Sequence, residues 1–406
     1  MKKMIALVLA LIQLTVFSAC GGKTQTESKK ETPDPGVTIS DSAGVSENTG
    51  SSIQSETVSE KEDNISSANN APSSQRPQNV SDAETGSEPE ENNTAEAKEH
   101  ISDRMRRGIN ISGPLEAAGE VNYSSWIFDI SYYETIADAG FDHVRIPVNF
   151  AHHIGEAPEY YIDTEFLRAV DLSVNNALDA GLIAVIDFHG WAGRLASDFE
   201  GNKECFYKIW EQLAERYQSY PEELMFELIY EPNKPISNGQ LNELQLEAVR
   251  RIRRTNPTRT IALATNENNG TWNLWNTQVP PNDENLIISI HNYNTMNFTH
   301  QGANWLAGNP YSEKVHMSDE IKKSVESALE QCRIYEERTG RNVWISEWGV
   351  YLGIADQNDV AEYDSFFSSA CKEKNLSYSY WEFNAGYGAY DMNTGQWKDF
   401  IINNLH

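Results

Sequence analysis

Eight short apolar runs recur along residues 101–406, and longer amphipathic segments separate them. Most of the runs are apolar at consecutive positions and rich in Val, Ile, Phe and Trp, which is typical of strands covered on both faces. The intervening segments repeat apolar residues every three or four positions, which predicts surface helices. The predicted strands span residues 107–111, 141–148, 182–189, 224–231, 260–266, 285–293, 342–349 and 376–384, and the clearest helices span 165–180, 204–218, 241–255 and 319–339.

Glycine marks the ends of several of the predicted helices. Ala139-Gly140, Ala180-Gly181 and Thr339-Gly340 each come just before a predicted strand, where helices commonly end. Eight alternating strand and helix units predict an α/β fold, a (β/α)8 or TIM barrel. A doubly wound open sheet would place a glycine-rich phosphate loop after the first strand, and residues 109–114 lack that pattern.

The first twenty residues have a different pattern. Lys2 and Lys3 precede an apolar run, and Ser18 and Ala19 precede Cys20. This arrangement predicts a secretory signal peptide, because the apolar run is too short for a convincing transmembrane helix. Residues 17–20, Phe-Ser-Ala-Cys, resemble a bacterial lipobox. That resemblance implies acylation at Cys20 and a lipid anchor on the outer face of a bacterial membrane, and an ordinary signal peptide that contains a Cys is the alternative.

Residues 21–100 predict a disordered tether before the folded domain at 101–406. The segment contains no Phe, Trp or Tyr, and Ser, Thr, Asn and acidic residues dominate it. Such a composition cannot bury enough apolar surface to offset the entropy of the chain. All ten Trp residues of the protein lie after residue 100, which is where a hydrophobic core is expected.

Charge and cysteine content argue against nucleic-acid binding and against a metal site. The net charge is −28, and an acidic protein repels the phosphates of nucleic acid. After Cys20 only Cys205, Cys332 and Cys371 remain, and their spacing fits no metal site. One disulfide is possible, and the sequence does not assign it. We therefore expect a monomer without metal or cofactor.

Polar residues recur where the predicted strands end. In a barrel of parallel strands these ends meet at one mouth, where active sites lie. Two carboxylates that face each other there are the minimum equipment for cleaving a glycosidic bond. Glu231 and Glu347 each follow an apolar run and are the candidate pair. The full set of strand-end residues is Asn110, Arg145, His189, Tyr230, Glu231, His291, Tyr293, Glu347 and Trp381.

Several of these residues lie in motifs that resemble glycoside hydrolase family 5, a family of cellulase-type retaining (β/α)8 enzymes. The resemblance covers nearly all of residues 101–406. The motifs are Arg-Gly-Ile-Asn110, Val-Arg145-Ile-Pro, Asp-Phe-His189, Glu231-Pro-Asn, His291-Asn-Tyr293, the loop from Phe298 to Trp305, Ser-Glu347-Trp-Gly and Tyr-Trp381-Glu-Phe-Asn.

The resemblance implies a role for each matched residue. Glu231 would be the acid/base and Glu347 the nucleophile. Arg145 and Tyr293 would favour the ionised nucleophile, His291 would hold the acid/base, and Trp381 would support the sugar. His189 and Tyr230 would contact substrate. Further aromatic residues in or near the following loops are candidate sugar platforms, namely Trp191, Trp272, Trp275, Trp305 and Tyr387.

Two positions depart from the family pattern. The family nearly always has Asn before the acid/base, where this chain has Tyr230, and many members have a second His where this chain has Gly190. The expected function is hydrolysis of β-1,4-glucan by a retaining endo-β-glycosidase, with mannan and xyloglucan as alternative substrates. A surface glycan-binding lipoprotein that lost catalysis through Tyr230 is the alternative from another class.

Overall fold

The computed structural model describes residues 100–117 and 121–406. The predicted signal peptide, with Cys20, and the predicted tether up to residue 99 lie outside these residues. No helix of the described chain has both the length and the apolar character needed to cross a membrane.

Eight parallel strands close into one barrel in chain order, so the predicted TIM barrel is confirmed. Each strand pairs with its sequence neighbours, and β8 closes the barrel by pairing with β1. The strands are β1 Arg107–Asn110, β2 His143–Val148, β3 Ile183–Phe188, β4 Leu224–Glu227, β5 Ile261–Ala264, β6 Leu286–His291, β7 Val343–Trp348 and β8 Ser377–Tyr380. A small hairpin, β9 Tyr390–Asp391 and β10 Gln396–Trp397, follows β8.

Helices surround the barrel, and all four helices predicted from periodicity are present. They are Thr164–Asp179, Phe199–Arg216, Asn238–Ile252 and Asp319–Thr339, and two more long helices, Ile130–Asp138 and Gln357–Glu373, follow β1 and β7. The fifth unit differs, because a 3-10 segment, Thr271–Asn276, follows β5. The helices are α1 Ile101–Arg104, α2 Ile130–Asp138, α3 Thr164–Asp179, α4 Ala192–Ser197, α5 Phe199–Arg216, α6 Asn238–Ile252, α7 Asn266–Asn269 (one irregular turn), α8 Met296–Thr299, α9 Asp319–Thr339, α10 Gln357–Glu373 and α11 Asp399–Ile402.

The fourth and eighth strands are shorter than the sequence predicted. Regular pairing of β4 ends at Glu227, although the backbone N–H of Leu228 still bonds to Ala262 and that of Tyr230 to Phe188. Glu231 has a φ of 40°, a left-handed value that cannot continue a strand. The chain therefore turns at the mouth and leaves the Glu231 side chain there.

The barrel interior is apolar at its floor and polar at its mouth. The floor cluster contains strand residues such as Val185, Met225 and Trp344, and Ile101 and Met105 close it from below. Two residues further along the same strands, the inward positions carry Asp187, Glu227 and Ser346, all buried. A much larger apolar layer lies between the barrel and its helices. The reactive groups are thus confined to one end of the barrel, as TIM barrel enzymes require.

The three cysteines of the described chain, Cys205, Cys332 and Cys371, are buried free thiols. Burial raises the pKa of the Cys205 thiol to about 11. These thiols are therefore part of the core and are not reactive at neutral pH.

Candidate active site

One buried guanidinium lies at the centre of the barrel mouth. Arg145, on β2, is fully buried. Its Nε donates to Glu227 Oε2 at 2.5 Å, and a terminal nitrogen lies 3.0 Å from Asp187 Oδ2. The other terminal nitrogen donates to Glu347 Oε1 at 2.5 Å and to Asn110 Oδ1 at 3.0 Å. A single cation thus holds side chains from four other strands in one geometry.

Burial and charge act in opposite directions within this group. Burial lowers the pKa of Arg145, but the carboxylates of Asp187, Glu227 and Glu347 raise that pKa well above its ordinary value. Burial raises the pKa of Glu227, although Arg145 opposes the shift. Because the charges compensate each other out of water, removing one partner of such a pair typically costs about 3–5 kcal/mol.

Glu347, on β7, is buried and paired with Arg145. Its side chain is 3% exposed, and the hydroxyl of Tyr293 lies 3.5 Å from its Oε2. Burial raises the pKa of Glu347, and the charge of the neighbouring Arg145 opposes that shift. The ion pair with Arg145 favours the charged form, and the charged form is the one that acts as a nucleophile.

Glu231 lies in a different environment. It follows β4, its side chain is 25% exposed, and its Oε1 lies 3.0 Å from His291 Nδ1. Burial raises the pKa of Glu231 to about 7, and hydrogen bonding with the Tyr230 side chain opposes the shift. Burial lowers the pKa of His291 to about 4, so that this ring is neutral at pH 7. A carboxyl group that titrates near neutral pH is suited to give and take a proton.

The two glutamates are close together. Glu231, His291 and Glu347 each offer an oxygen or nitrogen atom, and these atoms lie within 4.8 Å of one another. Carboxyl groups about 5–5.5 Å apart support retaining hydrolysis, whereas inverting enzymes need about 6.5–9.5 Å. The three donors are also close enough to bind one cation, but Arg145, itself a cation, already contacts one oxygen of Glu347. Proton transfer therefore explains the cluster better than metal binding.

A stack of flat side chains forms one wall beside Glu231. The rings of His189 and Tyr230 lie 3.6 Å apart at 27°, and Trp381 is nearly parallel to His189 at 6.4 Å. His189 Nδ1 lies 2.7 Å from Asp187 Oδ2. Although burial lowers the pKa of His189, Asp187 and Glu116 raise it to about 9. The stack thus contains a cationic imidazole at neutral pH.

A second pair of acids lies at the other side of His189. Glu116 Oε1 is 3.6 Å from His189 Nε2, and the Ser112 hydroxyl donates to the buried Glu382. Burial and the charge of Glu116 raise the pKa of Glu382 well above its ordinary value. The surroundings of Glu382 therefore favour its protonated form, and a protonated carboxyl both donates and accepts hydrogen bonds.

Aromatic rings continue from the centre to the rim of the mouth. Tyr387 lies 6.4 Å from Tyr293 and 5.5 Å from Tyr351. Tyr351 contacts Trp305 at 4.4 Å and 86°, and Trp305 is 42% exposed whereas Tyr387 is 6% exposed. Trp305 thus presents an apolar surface to solvent from a fixed position.

Two further tryptophans stand in the segment after β5. Trp272 is 54% exposed and Trp275 is 55% exposed. The indole of Trp272 donates to Glu267 Oε2 at 3.0 Å, whereas Trp275 packs against Tyr335 of α9. Trp272 is therefore tied to the mouth and Trp275 to the helical layer.

Comparison with known proteins identifies this constellation. A family model described as cellulase (glycosyl hydrolase family 5) matches residues 116–386. The chain belongs to glycosyl hydrolase family 5.

Relatives and solved structures agree with the family. Endoglucanase H of Acetivibrio thermocellus is 31% identical over 294 residues, which cover 71% of this chain and 30% of that protein. The chain thus spans under a third of that relative's length. Among solved structures, Thermotoga maritima Cel5A in complex with mannotriose is 34% identical with a TM-score of 0.70, covering 75% of this chain and 98% of that one. The cellulose synthase subunit Z of Clostridioides difficile is 30% identical with a TM-score of 0.70, covering 74% and 99%.

Most of the residues singled out in the sequence do meet at the mouth. One cluster contains Asn110, Arg145, His189, Tyr230, Glu231, His291, Tyr293, Glu347 and Trp381. The individual roles of these residues stay predictions. The expectation for Trp191 is wrong. Its side chain is fully buried and packs against Phe188 at 5.3 Å, so no face of the indole is open to a sugar.

Sequence reasoning missed several residues of the site. Asp187 and Glu227 lie within apolar strands, and an ionisable residue inside such a run is itself a signal, since burial requires a partner. Glu116 and Asn269 lie in loops, where no periodicity marks them. Glu382 directly follows Trp381 in the eighth motif, and only the fold shows that it is buried beside Ser112.

Proposed function

We propose that this family 5 domain is a retaining endo-β-1,4-glucanase. The observation that carries the proposal is the placement of Glu231 and Glu347 in one cleft, with oxygens within 4.8 Å. The unequal environments of the two acids support distinct roles. The exposed Trp305 and Trp272 support an extended sugar-binding cleft, because aromatic faces are suited to stacking on apolar surfaces.

In the first step Glu347 attacks the anomeric carbon and forms a glycosyl ester, while Glu231 donates its proton to the departing oxygen. The negative charge of Glu347 disappears in this ester. Because the two acids interact, the pKa of Glu231 then falls, and Glu231 becomes the base that deprotonates water in the second step. His291 keeps the Glu231 carboxyl in place through both steps.

The proposal is tested by measuring new reducing ends from soluble cellulose derivatives and mixed-linkage glucan. Hydrolysis is expected, with retention of the anomeric configuration in the first product seen by NMR. Glu231→Gln and Glu347→Gln should each lower the rate by several orders of magnitude. Inversion of configuration, or full activity in either variant, would contradict the mechanism.

Mannan and xyloglucan remain the alternative substrates of the same mechanism. The Thermotoga maritima Cel5A structure was determined with mannotriose, which shows that a similar barrel accommodates this sugar in that protein. The same reducing-end assay on mannan and xyloglucan separates the alternatives, since the preferred polysaccharide should give the highest kcat/KM.

Tyr230 favours one second candidate, a glycan-binding protein without catalysis. Its ring is partly buried and stacked on His189, where the family usually has a smaller amide. Tyr230→Asn distinguishes the two functions. Hydrolysis that appears only in this variant, with glucan binding already present in the native protein, supports the binding protein, whereas brisk native turnover excludes it.

We also propose that the protein is exported, anchored by a lipid on Cys20 and monomeric, with β-linked polysaccharide as its partner. The signal-like residues 1–20 support export and anchoring. Cys20→Ala should abolish incorporation of radiolabelled palmitate and release the protein from the membrane fraction. Light scattering on the purified domain should give the mass of one chain, and a larger mass would contradict the monomer.

A further inference from the structure

A strained segment follows β5 at the mouth. Glu267, Asn268 and Asn269 have φ values of 55°, 62° and 53°, so that three consecutive residues with side chains are left-handed. Asn tolerates this conformation better than most residues, usually singly. Runs of such residues persist only where the surroundings hold them, and they concentrate at functional sites. We call Glu267–Asn269 the positioning segment.

Each residue of the positioning segment contacts the chain around the predicted acid/base. The backbone N–H of Glu231 donates to Asn269 Oδ1 at 3.0 Å. Asn268 donates its N–H to Pro232 O at 3.0 Å and accepts from Asn233 at 2.8 Å. The carboxylate of Glu267 pairs with Lys234 at 3.1 Å. The two segments therefore run side by side in opposite directions, residue against residue.

Asn269 continues these contacts into the barrel. It is fully buried, and its Nδ2 lies 3.1 Å from Ser289 Oγ. Ser289 in turn donates to Glu227 Oε1 at 2.5 Å, and Glu227 is paired with Arg145. One side-chain amide thus connects the backbone of Glu231 with the ion group that holds Glu347.

The position of the Glu231 backbone depends on this contact. Glu231 is itself left-handed, with a φ of 40°, and has left regular strand pairing. Its side chain is partly exposed and meets His291 through one carboxylate oxygen. A small rotation at this residue would move the carboxyl away from a departing glycosidic oxygen. Misplacement of a reacting group by about 1 Å can cost 100-fold in rate.

We propose that Asn269 is a positioning residue that fixes the proton-donor geometry of Glu231 through its backbone N–H. The inference rests on the proposed glycosidase function and adds to it. Removal of the Asn269 amide should therefore impair protonation of the leaving group and leave nucleophilic attack by Glu347 intact.

The test compares two substrates in Asn269→Gly, which keeps a left-handed backbone and removes the amide. One substrate is a cello-oligosaccharide, whose poor leaving group needs a proton. The other is 2,4-dinitrophenyl β-cellobioside, whose leaving group needs none. We expect kcat/KM to fall about 100-fold on the first and less than threefold on the second, with a weaker alkaline limb in the pH profile of the first. An equal fall on both substrates, or no fall, overturns the proposal.

Two further variants complete the test. Asn375→Gly is the matched control, because Asn375 is an exposed left-handed residue just before β8 at the floor of the barrel, and both substrates should be unaffected. Asn269→Asp keeps an acceptor for Glu231 N–H and should preserve the wild-type ratio between the substrates. Loss of that ratio in Asn269→Asp overturns the proposal even if Asn269→Gly does not fold. A wild-type protein inactive on both substrates contradicts the proposed function instead.

Discussion

Arg145 sets the charge state of the site at the scale of single residues. It meets three carboxyl groups within 3.0 Å, whereas Glu231 has no such partner and interacts with a neutral histidine. The two glutamates therefore lie in different electrostatic environments. This division is what double displacement requires of two glutamates.

The pH profile of kcat/KM should report the titration of Glu231. Its pKa is raised to about 7, and it must be protonated to donate, so kcat/KM on an unactivated oligosaccharide should fall about tenfold per pH unit above neutral pH. On 2,4-dinitrophenyl β-cellobioside, whose leaving group needs no proton, this alkaline limb should be absent in the wild-type protein. An alkaline limb at the same pH on this substrate would assign the titration to another group.

Tyr230→Phe should shift the alkaline limb of the pH profile. Hydrogen bonding from the Tyr230 side chain lowers the pKa of Glu231, so removing only the hydroxyl raises the pKa and moves the alkaline limb to higher pH. The ring and its stacking on His189 remain, which leaves thermal stability nearly unchanged. A limb that moves to lower pH would show that the hydroxyl does not act on Glu231.

The sequence revealed those site residues whose position in a strand is unusual. Glu231 and Glu347 end apolar runs, and the parallel order of the strands brings such ends together. Asn269 had no comparable signal, because its contact with Glu231 depends on three left-handed residues in a loop. Trp191 follows His189 as a surface tryptophan would, and only the course of the chain into α4 buries it.

Strands and helices were predictable at the scale of elements where one period held for many residues. The apolar strands are covered on both faces, and α9 shows its period over 21 residues. The ends of β4 and β8 were not predictable, because β4 leads into a left-handed residue at Glu231 and β8 into loops that carry Glu382. These irregular ends place functional side chains at the mouth of the barrel.

Helix α10 carries an unusual buried acid, which gives a stability prediction. Asp364 is fully buried, and neither carboxyl oxygen has a hydrogen-bond partner in the described chain. Burial raises the pKa of Asp364 well above its ordinary value. Above pH 4 the unfolded state releases this proton and the folded state keeps it, so Asp364 lowers stability as pH rises.

Asp364→Asn should therefore raise the melting temperature at pH 8 by a few degrees and have little effect at pH 4. The gain comes from removing the ionisable group, because the amide is buried like the acid but has no proton that the unfolded state alone releases. Differential scanning calorimetry at both pH values checks it, with the exposed Glu373→Gln on the same helix as a control. A loss of stability at pH 8 would contradict the argument.

The two ends of the barrel have separate tasks at the scale of the whole molecule. The floor is an apolar cluster closed by Ile101 and Met105, and the mouth is a polar cluster around Arg145. Because the apolar floor and the outer layer supply stability, the mouth can hold strained and charged groups.

Met105→Ala should reveal this separation. Met105 is 1% exposed, and truncating such a side chain costs about 2–5 kcal/mol. Chemical denaturation should show this loss, while kcat and KM stay within twofold of the wild type. Arg104→Ala, at a half-exposed position next to it, should change stability little. A large rise in KM for Met105→Ala would show that floor and mouth are coupled.

Both ends of the folded chain are fastened at the floor. His100 bonds to Asn285 just before β6, and near the C-terminus the carbonyls of Leu405 and His406 accept bonds from Arg107 and Tyr378 at the start of β1 and β8. An attachment made at residue 100 or at residue 406, whether to a bead, a second enzyme or a cell surface, consequently lies on the side of the barrel opposite the cleft. A circular permutation that joins residue 406 to residue 100 would therefore place its linker on the side of the barrel away from the chemistry.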